Sequence, residues 1–574
     1  MLLVLLVARA ALAFMPSMVG WSLNVQRFLA PAIGWGAWLL AAAALAPALA
    51  NRALPALEWM GEAMRRRPGM AMAAWAIAAA VLVWLAPDRV RFVGDFLLRQ
   101  GTVEVREQPG LLYPQALPLD VFLHYTLPSA LSGAGLVDAN GASRLLGALE
   151  AAALGALAVA FARALELRGP AAVAAVAVLL FGGYLGMFTG FSKAFAEMCV
   201  LVAAAGVFGL QALRRGGGLL GLGVVVAVGL ALHRSALGLL PALMLVWVLW
   251  WRRHGRGGAW RRPLTLAALA VPLVALAVML PRIIAVMRRW DSIHFTPGGS
   301  EAGLGGAIAG AFAGSRPIDL VNLLLLLSPL VVALPVLGLG RRGGAAPEER
   351  TLLLALALPF LAVMPFIHPA QGLFRDWDDF AATGVALSLL VGWAVGRTLE
   401  AAPRHAWVAV AVTLGVAAPA VQWLAHHVDV DRGLARVEAF IHEPPPRTED
   451  ELGNTWDYLG IRNFRLERWD AAARAFARAV EHAPSPRILQ EWALAQTMSG
   501  NLHGAMAAYH RMLEKDPRNA LGWLGLTSVA ARLGDYVEAR RAANELLRLQ
   551  PGNADALRFL TDIDQLERAR RAPP

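Results

Sequence analysis

The chain has 574 residues, of which 57% are hydrophobic and only 16% charged, and its mean hydropathy of +0.53 is more apolar than a water-soluble globule of this length tolerates. The net charge of +11 comes from arginines scattered between apolar runs, with only two lysines, Lys193 and Lys515; no basic stripe with interleaved aromatics is present, which argues against a nucleic-acid partner. A single cysteine, Cys199, excludes an intramolecular disulfide. The Arg and Ala bias is that of a GC-rich bacterial genome.

A helix needs about twenty apolar residues to cross a bilayer. In chain order, such runs fall at 1–21, 30–50, 70–87, 146–166, 170–187, 195–213, 217–232, 236–251, 263–281, 318–340, 351–367, 381–397 and 406–425. The expected fold is therefore all-α: a polytopic bundle of about thirteen transmembrane helices over 1–428, a linker over 429–446 stiffened by Pro444-Pro445-Pro446, and a water-soluble helical array over 447–574. The first run, ending at Ala11-Leu12-Ala13, also reads as a signal peptide, but Arg9 interrupts it and no basic segment precedes it.

The turns between these runs alternate. Arg65-Arg66-Arg67, Arg214-Arg215, Arg252 through Arg262, Arg341-Arg342 and the stretch from Arg397 to Arg404 fall on one face, which the positive-inside rule assigns to the cytoplasm. The long loop 88–145, the turn Phe188 to Lys193, His233-Arg234, the loop 282–317 and the segment His368 to Phe380 then share the opposite face. An odd number of spans puts the C-terminal array on that face too, periplasmic if the bilayer is a bacterial inner membrane.

Nearly all the polar candidates are on the outer face. Asp95 lies early in loop 88–145, and Asp120 and His124 are four residues apart, so on a helix they share a side. A carboxylate held at a membrane surface can act as a general base toward a hydroxyl or ligate a divalent cation. The competing readings are a helix cap for Asp120 and a surface ion pair with Arg91 or Arg99 for Asp95. Arg375, Asp376 and Asp378 form a dense charged turn with Asp379; the arginine offers a fork for phosphate, while the alternative is a solvated turn capping the next helix. Lys193, His233, Arg234, Arg288 and Arg289 add cations suited to a lipid phosphate, or to ordinary headgroup contacts. No nucleotide-binding loop, paired-cysteine motif, zinc-protease helix or serine-hydrolase elbow occurs.

From Gly453 onward the chain resembles tetratricopeptide repeats with a period of about 34 residues. Trp456, Leu459-Gly460, Ala472, Phe476, Ala479 and Pro484 form one unit; Trp492, Gly500-Asn501, Ala505, Tyr509 and Pro517 a second; Trp523, Gly534-Asp535-Tyr536, Ala539 and Pro551 a third; and 554–571 reads as a capping helix. Such arrays present a groove to a protein or peptide; the alternative is a brace on the apolar unit.

The many spans, the long outer loop with an early acid, and the basic outer loops resemble, over roughly 70–400, the GT-C type membrane glycosyltransferases. Some of these, the protein O-mannosyltransferases with tetratricopeptide repeats, also carry a repeat array. The resemblance implies a polyprenyl-phosphate-linked sugar donor, a protein or glycan acceptor, and Asp95 as catalytic or metal-organising acid beside Asp120 and His124, with a divalent cation as the cofactor such acids would hold. The chain departs from that pattern in the extra spans before the loop and in lacking a second acid beside Asp95. Two other readings stand beside it: an O-antigen-ligase or polymerase-like enzyme working through loop 282–317, and a non-enzymatic scaffold that assembles an envelope complex through its repeats.

Overall fold

A computed structural model describes the chain apart from residues 98, 100–113, 192, 255–260, 296–302, 340–346 and 572–574. Arg106, Arg341-Arg342 and parts of the expected loops at 88–145, 252–262 and 282–317 lie outside the described residues. The structure is 81% helix, no strand occurs among the described residues, and the chain divides into two compact units, Met1–Pro445 and Pro446–Pro574.

In the first unit every apolar run becomes a helix or a bent helix pair. Among the described residues, eight helices are long and apolar enough to cross a membrane, and the number rises to eleven if the bent pairs Pro31–Ala43 with Pro47–Arg66, Gly169–Leu180 with Gly183–Thr189, and Arg316–Leu327 with Val331–Leu337 each count once. The two remaining runs form the shorter helices Leu2–Ala13 and Leu219–Leu232. Helix starts follow local chemistry: proline opens Pro31–Ala43, Pro47–Arg66, Pro68–Leu85 and Pro263–Val286, where its missing N–H costs nothing. Phe195–Arg215 ends where Gly216 turns left-handed at φ +69°, a conformation that glycine adopts without strain.

Glycine also sets the packing. A Cβ at Gly155 would lie 2.5 Å from the Trp75 carbonyl oxygen, and one at Gly147 2.3 Å from that of Phe188, so these small residues let Ala139–Ala164 press directly on its neighbours' backbones. The helices Phe195–Arg215 and Trp377–Glu400 form the centre, 72% and 89% buried, whereas Pro68–Leu85 and Pro263–Asp291 are only 17% buried. The peripheral helices therefore turn Leu264, Leu273, Val274 and Val278 outward. Residues 430–442, within the expected linker, instead form the helix Val430–His442, whose Phe440 ring stacks on Phe374 at 4.0 Å.

The second unit follows the repeat pattern. Glu449–Arg465 pairs with Trp469–His482, Pro486–Met498 with Leu502–Lys515, and Ala520–Leu533 with Tyr536–Leu549, before Ala554–Arg571 closes the array. Thr448 and Glu451 cap the first helix reciprocally. Gly500 and Gly534 turn between paired helices at φ +83° and +78°. Phe476, Leu489, Tyr509, Met512 and Leu526 interlock in one core.

Candidate functional site

The acids and cations expected on one face gather at one end of the first unit from segments far apart in sequence. Lys193, in the turn before Phe195–Arg215, places Nζ 2.9 Å from Asp378 Oδ2, 3.2 Å from Asp379 Oδ1 and 3.9 Å from Asp95 Oδ2. The Asp378 side chain is fully buried, while a third of the Asp95 side chain remains exposed. Gly94, at φ +42°, makes that approach possible: a Cβ there would stand 3.1 Å from both Asp378 oxygens.

Arg375 clamps the two loops together. Its Nε donates to the Phe92 carbonyl at 3.1 Å and a terminal nitrogen to that of Gly94 at 3.5 Å, and its guanidinium lies 5.5 Å from the Phe92 ring centre. Gln371 donates to Asp95 at 3.4 Å, and its backbone N–H donates to Asp376 at 3.0 Å. Burial alone would raise the Asp95 carboxyl, but Lys193, Arg99, Arg375 and Gln371 outweigh it and hold it below the usual range. Lys193 is raised despite its burial, because Asp378, Asp379, Asp95 and Asp376 surround it. Asp376 is pushed well above the ordinary carboxylate range by burial and by the neighbouring Asp379 and Asp378. The turn is thus not the solvated cap that its charge density allowed: Asp376 and Asp378 are buried.

The pair Asp120 and His124 is adjacent to this cluster. The helix of segment 118–133 widens to a π turn over Phe122–Thr126, a distortion that recurs at functional sites, and His124 Nδ1 lies 2.8 Å from Asp120 Oδ1. Arg99 reaches the same oxygen at 3.2 Å, so Asp120 anchors a network, and no side-chain cap bond begins its helix. Burial would raise Asp120, but Arg99 and His124 lower it; burial would lower His124, but Glu197 and Asp120 raise it to about 9. Glu197, 3.0 Å from His124 Nε2, was missed in the sequence, as was Glu150 behind it. The signal was present: both carboxylates interrupt apolar runs, where an ionisable residue costs about 2.5–3.5 kcal/mol and needs a reason.

His233 and Arg234 sit beside the network and are engaged locally. The imidazole lies 2.8 Å from Ser235 Oγ and 3.1 Å from Arg234, meets the Phe195 ring at 4.7 Å, and is driven well below its usual pKa by burial and by Arg234. Arg234 pairs with Asp291. Arg288 and Arg289, in the π turn Met287–Asp291, are exposed and are the cations most open to solvent among the site residues.

Comparison with known proteins locates one family. A tetratricopeptide-repeat family model matches residues 496–563, which supports a role in protein–protein interaction for the second unit. No curated protein matches the chain.

Proposed function

We propose that the first unit is the membrane domain of a bacterial inner-membrane glycosyltransferase of the GT-C type, drawing sugar from a polyprenyl-phosphate donor at the outer face. In this reading all thirteen apolar elements are embedded, and the repeat unit lies on the outer side, where it binds the acceptor or a protein partner. The outward apolar faces of the peripheral helices support embedding, since extended exposed apolar surfaces mark contacts with lipid or partners.

One observation carries the enzymatic reading: Asp95 is a partly exposed carboxylate kept ionised in front of the half-buried Lys193 and the buried Asp378 that it pairs with, at the end where the apolar helices gather their acids. An ionised carboxylate with one wet edge can take the proton of an acceptor hydroxyl. Lys193 and Arg375 are occupied by carboxylates and backbone carbonyls, so they position Asp95. The exposed Arg288 and Arg289 suit the donor's phosphate. Replacing Asp95 by Asn should cut sugar transfer by at least about 100-fold while leaving insertion and yield unchanged; transfer at the wild-type rate would remove Asp95 from the reaction.

A further inference from the structure

His124, Glu150 and Glu197 come from three elements, the segment 118–133 and the helices Ala139–Ala164 and Phe195–Arg215, yet a nitrogen or oxygen of each lies within 4.8 Å of the others. We propose that they form a binding site for one divalent transition-metal ion of the zinc class, with a further coordination position left for a water or a substrate oxygen.

Three observations converge on this assignment. Glu150 is 6% exposed, and neither of its carboxylate oxygens has a hydrogen-bond partner, although a buried carboxylate without a donor is costly and demands a counter-charge. Both Glu197 oxygens likewise lack a hydrogen bond, His124 Nε2 standing 3.0 Å away but off the bonding line. Third, Asp120 holds His124 through Nδ1 at 2.8 Å. That contact fixes the ring with Nε2 3.0 Å from Glu197, and loss of the Nε2 proton on metal binding would free that nitrogen as a ligand, the carboxylate–histidine arrangement that orients imidazoles on metals.

Donor type and charge select the ion. One imidazole and two carboxylates suit zinc and its neighbours better than magnesium or calcium, which favour all-oxygen sets. With His124 neutral, the charges of Asp120, Glu150 and Glu197 are balanced by Arg99, 3.2 Å from Asp120, and one divalent cation. Donor atoms around tetrahedral zinc lie about 3.4 Å apart, against the 4.8 Å within which these three sets of atoms already stand. This assignment does not depend on the chain transferring sugar: the ion would join the segment 118–133 to two helices in any case.

The test uses the full chain, purified without a histidine tag, stripped with chelator, reloaded with zinc chloride and washed before metal analysis. Wild type should retain about one zinc per chain. Glu150→Gln and Glu197→Gln should lose it, Asp120→Asn should weaken affinity by about 10- to 100-fold, and Asp95→Asn should keep it. Cobalt loaded into the wild-type chain supplies a readout that needs no variant to fold: visible bands of a low-coordinate nitrogen–oxygen site support the proposal, and a purely six-coordinate aqueous spectrum overturns it. Failure of wild type to retain zinc, as expected if Glu150 and Glu197 simply share a proton, overturns it, as does undiminished zinc in Glu150→Gln.

Discussion

The two polar ends of the first unit use the same residue types in opposite ways. At one end Glu349, 2% exposed, is met by Arg397 at 2.9 Å, Arg214 at 3.2 Å and the Trp393 indole at 3.0 Å, and the neighbouring Glu348 pairs with Arg253. Both acids are thus paired with at least one guanidinium. At the other end Asp95, Asp376, Asp378 and Asp379 crowd round Lys193, and Glu150 faces another carboxylate, Glu197, rather than a guanidinium. A fold selected for stability alone matches its buried charges. An excess of buried acid is what a site for a cation or a hydroxyl requires, and this contrast, rather than any motif, is what the proposed site rests on.

Removing a matched charge and removing a crowded one should therefore differ. Lys193→Met leaves buried carboxylates facing one another and should lower stability by about 3–5 kcal/mol, read as a fall in the denaturation midpoint of the purified chain or as loss of yield; a loss under about 1 kcal/mol would erase the contrast. Glu349→Gln keeps a carbonyl for Trp393 and should cost about 1–3 kcal/mol without altering transfer. Arginine substitutions separate enzyme classes: Arg288→Ala with Arg289→Ala should weaken donor binding modestly and leave turnover at saturating donor intact, whereas complete inactivation would favour the ligase or polymerase-like reading through loop 282–317. The smallest effect is the pH dependence of Asp95. Its folded carboxyl is held below the unfolded value, so its contribution is present above about pH 4 and fades as the pH falls through the folded value. The difference in midpoint between wild type and Asp95→Asn should be flat from about pH 8 to 5 and shrink below about pH 4; a difference that grew on acidification would reverse the assignment.

Much of the architecture was legible because apolar length and repeat spacing are local properties. Each of the thirteen runs became a helix or bent pair, and Gly500, Gly534, Pro517 and Pro551 fixed the repeat boundaries. The span count was less legible, since a bend such as the 93° break between Pro31–Ala43 and Pro47–Arg66 leaves little trace in hydropathy. In the site, the Asp120–His124 contact followed from i, i+4 spacing. The Lys193–Asp378 pair joins residues 185 positions apart, and no periodicity predicts which of four acids will face a given cation. For the same reason Lys193 and Arg375 looked available for phosphate when they are held by the protein itself. Glu150 and Glu197 could have been found, because a carboxylate within an apolar run is itself the anomaly.

The helix Phe195–Arg215 begins two residues after Lys193, carries Glu197 in its first turn and ends with Arg214 paired to Glu349. At 1.5 Å per residue it is a rod about 30 Å long with little axial give. Glu197 and the Arg214–Glu349 pair are therefore held at a fixed separation by a single rigid element, which ties the two polar ends of the unit to one ruler.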